Sequence, residues 1–345
     1  MNNVSKSQIR LRRILRWIAL IVGKIFTRTT VKGREHIPTE GPVLFAGNHL
    51  STYDPVLMMV YLPKNVQIVG PGDFKLLWPA NWIVENLGLI LTKRGAIDRQ
   101  SIKQMEEVLK GNGLLALFPE GGTWEKALED VKSGAAYLSQ TTNARIVPVA
   151  LGGTYQVWSK MARLKRPRIT VTFGEPLPPV QVSGDRKTRQ QELQDASVDL
   201  MKRIYAMLPE ADQRFYDEIP RQRFAAELSF TPEVSLSEPM PDLSGLTELI
   251  SKPNLFSPLH RNAALPLKPF VQRLGRYTPA DEFEQAVYAL QDAFNTTFKG
   301  YLEYRLGDEK AARIYSELET LLPIAQAAVK ADAAICYTPR MWVEP

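Results

Sequence analysis

A histidine and an aspartate five residues apart, His49 and Asp54, form the pair in this chain best suited to moving a proton. A neutral imidazole accepts a proton near neutral pH, and a carboxylate on its other ring nitrogen fixes the tautomer and stabilises the imidazolium. The apolar run Pro42–Ala46, bounded by Gly41-Pro42 and by Gly47, predicts a buried strand. His49 then falls at a strand's end, where α/β proteins commonly hold their chemistry. Asp54 precedes Pro55 and the apolar run Val56–Tyr61, a pattern that predicts an N-cap with proline at the first helical position. Taken alone, the stretch is equally compatible with ordinary capping and a hydrogen-bonded histidine.

Three further strand ends carry residues that could bind or polarise a substrate. Gly88-Leu-Ile-Leu-Thr-Lys93-Arg94-Gly95 delivers two cations to the end of a strand. Phe118-Pro119-Glu120-Gly121-Gly122-Thr123 runs from a strand into a Gly-rich turn with one carboxylate. Paired glycines permit the left-handed conformations in which backbone N–H groups converge on an anion. Val147-Pro148-Val149-Ala150-Leu151-Gly152-Gly153-Thr154 is another strand closing on a Gly pair. A strand-end cation is usually solvated and a Gly pair is usually a turn, so it is the set of four within one region that carries weight.

The elements that must position these residues alternate between β-rich and helical runs from Thr30 to about Pro179. Val43–Ala46, Val66–Val69, Leu87–Thr92, Leu114–Phe118, Ile146–Leu151 and Ile169–Phe173 are predicted strands. Pro55–Tyr61, Arg99–Lys110 and Val131–Gln140 are predicted helices, the second capped by Asp98. The fold class is α/β. A helix over Gln191–Leu208 follows. A Pro- and Ser-rich passage with little periodicity then reads as a linker, and a helical hairpin begins at Thr278-Pro279-Ala280-Asp281. The resulting organisation is 1–29 a basic amphipathic helix, 30–215 the α/β domain, 216–269 a linker or irregular segment, and 270–345 a mainly helical region with no evident chemistry.

The chain has 345 residues, ample for a large core, with 44% hydrophobic and 23% charged residues. One cysteine, Cys336, excludes an intrachain disulfide framework and points to the cytosolic face. With three histidines and that single cysteine, no zinc site is expected. The net charge of +6 is local, since residues 1–40 hold nine Lys/Arg against two acids. Over residues 7–28, Leu11, Ile14, Leu15, Ile18, Ile21, Val22, Ile25 and Phe26 recur at helical spacing. Arg12, Arg13, Arg16 and Lys24 fall on the opposite face, with Trp17 and Leu20 as apolar exceptions there. Trp17–Gly23 is too short an apolar run to span a bilayer, which takes about twenty residues, and no cleavage pattern follows it. A basic amphipathic helix lying on an anionic membrane surface fits best; the alternatives are a helix packed on its own domain and, more distantly, a nucleic-acid arm.

The four strand-end motifs, in this order, resemble the glycerolipid acyltransferases that form phosphatidic acid, the family typified by the bacterial 1-acylglycerol-3-phosphate acyltransferase. Asn48-His49 with Asp54 matches its first motif, Gly88 to Arg94 its second, and Phe118-Pro119-Glu120-Gly121 its third. Val147-Pro148-Val149 with Gly153-Thr154 matches its fourth. The flanks agree, from Val31-Lys32-Gly33 to Phe173-Gly174-Glu175-Pro176-Leu177-Pro178, so the likeness covers about residues 30–180. It implies a single mixed-sheet acyltransferase domain flanked by helices, with His49 as general base and Asp54 orienting it. The acceptor is a lysolipid hydroxyl, with 1-acylglycerol 3-phosphate the leading one. The donor is an acyl thioester of coenzyme A or of acyl carrier protein, attacked directly, and no cofactor, metal or nucleic acid is involved. Lys75, Lys93 and Arg94 would hold the anionic head of the acceptor, with Glu120, Gly121, Gly122 and Thr123 shaping the same pocket. The protein would be peripheral, on the cytoplasmic face of the membrane.

One departure bears on the acceptor. The family's third motif continues Gly-Thr-Arg, whereas here Gly122-Thr123-Trp124 follows Gly121, and Lys93 stands where many relatives carry Asp. Losing a phosphate-pairing guanidinium calls for another clamp, Lys93 or Lys126, or for another acceptor such as a different lysophospholipid or a glycolipid. A non-catalytic lipid-binding protein and a thioester hydrolase are the competing readings.

Overall fold

The computed structural model describes residues 5–72, 80–93, 98–122, 128–236 and 239–345. It divides into two compact units, Met1–Ile219 and Pro220–Pro345. The first unit contains, in order, α1 (Lys6–Phe26), β1 (Arg28–Lys32), β2 (Val43–Gly47), α2 (Asp54–Tyr61), β3 (Gln67–Pro71), α3 (Ala80–Asn86), β4 (Ile90–Thr92), α4 (Arg99–Lys110) and β5 (Leu114–Leu117). It continues with α5 (Gly134–Thr142), β6 (Arg145–Gly152), α6 (Val157–Ala162), β7 (Arg168–Phe173), α7 (Arg186–Ala206) and α8 (Glu210–Glu218).

Its sheet has the order β1-β7-β6-β2-β5-β3-β4. β2 lies parallel between β6 and β5, and β3 and β4 extend the parallel run. β7 pairs antiparallel with β6 and parallel with β1, so the sheet is mixed. The two faces of β2 explain its apolar run. Val43 and Phe45 enter one core with α2 residues Leu57 and Met58, while Leu44 and Ala46 enter the other with Met105, Leu109 and Leu138. Strands buried on both faces read as continuous hydrophobic stretches, and each such Leu or Phe contributes about 1.5–3 kcal/mol by burial. β1 was not predicted as a strand because Arg28, Thr30 and Lys32 are exposed, leaving only Thr29 and Val31 partly covered. Such a cation-rich pattern belongs to an edge strand.

α1 has the expected extent but not the expected faces. Ser5 caps it through a capping box with Gln8. Arg12 turns inward, donating to the carbonyl oxygens of Leu87 (2.7 Å), Gly88 (2.9 Å) and Val66 (3.1 Å), and Arg16 donates to Leu62 at 2.8 Å. These carbonyls lie beside helix and strand ends that leave backbone acceptors without partners, and a forked guanidinium can satisfy several at once. The outward face is apolar instead, with Ile14, Trp17, Ile18, Ile21 and Ile25 exposed and Arg10, Arg13 and Lys24 around them. Among the described residues no helix is long and apolar enough to cross a membrane.

The second unit contains β8 (Gln222–Thr231), α9 (Ser244–Ser251), α10 (Pro253–Ala263), α11 (Lys268–Val271), β9 (Tyr277–Pro279), α12 (Ala280–Asn295), α13 (Tyr301–Leu306), α14 (Asp308–Lys330) and β10 (Ala334–Val343). β10 pairs antiparallel with β8 along its whole length and with β9 on its other edge. The passage 216–269, expected as a linker, therefore holds a strand and three helices, and the helical region beyond it also supplies two strands. β8 meets its partner more than a hundred residues later, a pairing that no local pattern announces. α9 begins on a buried carboxylate: Glu317 accepts the N–H groups of Gly245 at 2.8 Å and Leu246 at 2.6 Å. Burial raises the Glu317 carboxyl above its ordinary range, an effect these two N–H groups oppose.

Candidate active site

The parallel strands β6, β2 and β5 are neighbours, and the motifs leave their carboxyl ends together. Asn48-His49 follows β2, Phe118-Pro119-Glu120 follows β5, and Gly153-Thr154 follows β6. Crevices at the carboxyl ends of adjacent strands are the usual ligand sites of open α/β sheets.

His49 and Asp54 meet as their spacing predicted, with Nδ1 of the imidazole 3.1 Å from Oδ2 of the carboxylate. The same Oδ2 accepts the Ser51 N–H at 2.7 Å, and Asp54 is fully buried whereas the His49 side chain keeps 14% of its surface open. Asp54 is the first residue of α2 rather than its cap, and its side chain turns back to Ser51 and His49 instead of onto the helix. The helix N-terminus still favours its negative charge. A carboxylate on Nδ1 assigns that nitrogen the proton, leaving Nε2 as the basic atom. The Phe118 ring stacks on the imidazole, 4.1 Å between centroids and 19° between planes, so the base is fixed on one face as well as at one nitrogen.

The flanking residues hold the base's backbone. Asn48 is completely buried, and its amide clasps Leu151 in both directions, donating to the carbonyl at 3.0 Å and accepting the N–H at 2.7 Å. Glu120, expected in the acceptor pocket, is only 5% exposed. Its Oε1 accepts the His49 N–H at 2.8 Å and the Tyr216 hydroxyl at 2.9 Å. The carboxylate thus faces inward, bracing the loop that carries the base. Burial, reinforced by the Glu120 charge, raises Tyr216 well above the usual phenol range, which keeps it a donor. One turn earlier on α8, Asp212 accepts the Gly153 N–H at 2.9 Å, so this helix supports two of the four motifs. On the other side, Trp158 of α6 donates its indole N–H to Thr52 at 2.8 Å.

The remaining predicted site residues divide into those the structure places and those beyond it. Gly121 has the expected left-handed φ of 74°, but its N–H closes a turn on the Phe118 carbonyl at 3.0 Å, so it is not turned to an anion. Gly122 is buried beside it. Lys93 is exposed at the end of β4, its backbone N–H held by Asp98 at 2.9 Å. That bond and two from Ser101 lower the Asp98 carboxyl to about 2. Lys75, Arg94, Thr123 and Lys126 lie outside the described residues. Sequence reasoning missed Tyr216, Asp212 and Trp158, and it gave Asn48 no role. Nothing in their spacing ties them to His49, because each acts through a long-range contact.

Residues 28–152 match a family model described as Acyltransferase. The chain is 24% identical over 151 residues to the 1-acyl-sn-glycerol-3-phosphate acyltransferase of Borreliella burgdorferi, covering 43% of this chain and 58% of that protein. The crystal structure of the 1-acyl-sn-glycerophosphate acyltransferase of Thermotoga maritima superposes with a TM-score of 0.41 at 18% identity, covering 60% of this chain and 86% of that one. The family-model match falls within the first unit and includes β2, β5 and β6, the strands whose ends carry the site. The match to the curated relative stops well short of that protein's full length.

Proposed function

We propose that this protein is a membrane-associated O-acyltransferase that moves a fatty acyl group from a thioester to the hydroxyl of 1-acylglycerol 3-phosphate. The observation that carries the reading is the His49–Asp54 pair, aligned through Nδ1 with Nε2 left as the base. In the reaction His49 Nε2 takes the acceptor's hydroxyl proton as its oxygen bonds the thioester carbonyl carbon. The tetrahedral intermediate then collapses with cleavage of the carbon–sulfur bond, and the imidazolium returns the proton to the departing sulfur. Asp54 stabilises the imidazolium throughout, and alignment of two bound substrates supplies much of the rate. The donor is an acyl-coenzyme A or acyl carrier protein thioester, and the reaction as written needs no metal or other cofactor. Lys93, with Lys75 and Arg94, is assigned to the acceptor's head.

The outward apolar stripe of α1, with cations around it, suits contact with an anionic leaflet on the cytoplasmic side, where such substrates would be met. The test is acyl transfer on anionic vesicles by wild type and His49→Ala, offering 1-acylglycerol 3-phosphate, other lysophospholipids and a neutral glycolipid. Loss of transfer in the variant, with the phosphate monoester preferred, is the expected result. Undiminished transfer by folded His49→Ala protein would refute the mechanism, while preference for another acceptor would keep the mechanism and change the substrate. Acyl release indifferent to any acceptor would indicate a hydrolase instead.

A further inference from the structure

The catalytic pair and its braces give no place to the charged end of the acyl donor. A cavity of about 410 Å3 lies at the same carboxyl edge, where Gly153 at the end of β6, Ser159 and Lys160 of α6, and Arg163, Lys165 and Arg168 help to line it. Its described lining holds four cations and no carboxylate; Lys160 donates to the Tyr155 carbonyl at 2.9 Å and feels the charge of Asp212, behind Gly153, so Arg163, Lys165 and Arg168 are the cations it offers a ligand. The segment between α6 and β7 is folded tightly around it, with left-handed φ at Leu164 (54°) and Arg166 (44°), conformations uncommon outside glycine. Leu164 and Lys165 close turns onto Met161 and Lys160 at 2.9 Å each. Arg163, Lys165 and Arg168 line the cavity, whereas Arg166 turns away to the Lys24 carbonyl of α1 at 3.1 Å.

The cavity is linked to the base's loop through neighbouring residues. Gly153 stands two residues beyond Leu151, which Asn48 clasps, a separation of about 7 Å at extended spacing. Trp158, next to Ser159, donates to Thr52, three residues past His49.

We propose, resting on the acyl-transfer reading, that this cavity binds the phosphates of a coenzyme A thioester, with the pantetheine arm running from it to His49. The diphosphate and ribose phosphate of that donor concentrate more negative charge than a lipid phosphodiester, and guanidinium groups match phosphate oxygens two at a time. A carrier-borne arm has one phosphodiester and would leave most of these cations without a partner.

The test needs no turnover, so it stands apart from the fate of His49. Equilibrium binding of free coenzyme A, of dephospho-coenzyme A and of 4′-phosphopantetheine, and of anionic vesicles and acyl carrier protein, is measured on the full chain, wild type and Arg163→Ala/Arg168→Ala. Coenzyme A is expected to bind wild type more tightly than 4′-phosphopantetheine. The double variant should weaken coenzyme A by at least about tenfold, the effect of losing one charge-assisted contact, with a shallower salt dependence. Equal affinity for the two ligands, or unchanged coenzyme A binding in the variant, overturns the proposal. So does a variant that keeps coenzyme A binding while losing anionic vesicles or acyl carrier protein, since the basic edge would then serve a membrane or a protein. Should the double variant misfold by circular dichroism, exposed Lys165→Gln supplies the same comparison.

Discussion

Replacing Tyr216 with Phe removes one hydroxyl and little else, which makes it a sharp probe of how the base is held. The ring is 3% exposed and stays packed, so no cavity forms; what disappears is the 2.9 Å bond to Glu120 Oε1, with the hydroxyl's interaction with the Asn48 side chain. A hydrogen bond to a charged group contributes about 1.5–3 kcal/mol, and Phe offers nothing in its place. For a unit of this size that loss should lower Tm by roughly 3–10 °C. If about half of it is expressed in the placement of His49, kcat falls by about four- to twelvefold. Glu120 holds the backbone of His49 rather than its ring, so the midpoint of the pH–rate profile and the KM for either substrate should move little. Steady-state kinetics on vesicles across pH, beside thermal melts, read all of these together. A lowered Tm with unchanged kcat would refute the bracing role and leave Tyr216 as packing alone.

Asp54→Asn keeps the shape of the pair but lets the imidazole adopt the wrong tautomer, and should reduce kcat by about 10²–10⁴ with the fold retained by circular dichroism. In α1, Trp17→Ala should weaken binding to anionic vesicles in a flotation assay without lowering Tm, whereas Arg12→Ala should lower Tm, since it deprives three carbonyls of a donor. Glu317 gives a prediction in pH. Burial raises its folded pKa above 4.5, so its contribution to stability is greatest below that value and declines as pH rises through the raised one. Glu317→Gln removes the decline, and its stability relative to wild type, followed by urea unfolding, should improve from pH 4 to pH 7. A constant difference across that range would contradict the assignment.

The parts of this fold visible in the sequence are those with a local cause. Val43–Ala46 read as a buried strand because it is apolar on both faces, and α4 read correctly to the residue because Asp98 caps it and Gly111 ends it. His49 and Asp54 were legible because their partner lies five residues away. Tyr216 is 96 residues from Glu120, and Asn48 is 103 from Leu151, so only the folded sheet brings them together. α1 misled for a different reason. Its apolar spacing was real, but two arginines on the domain side pair with carbonyls, which a hydropathy pattern counts as a solvent face. In the second unit the helical hairpin was legible, as α12 and α14, but the sheet was not, because β8 acquires its partner only when β10 arrives.

The clasp between Asn48 and Leu151 also bears on when the active geometry is reached. A side-chain amide bonded both ways to a strand's backbone behaves as one more rung of the sheet, so the loop bearing His49 shares the rigidity of β6. The entropy of ordering that loop is met once, during folding, and does not recur at each turnover. The base is preorganised before either substrate arrives. Substitutions that loosen this rung should therefore register in catalytic rate at temperatures where the melt still shows a fully folded protein.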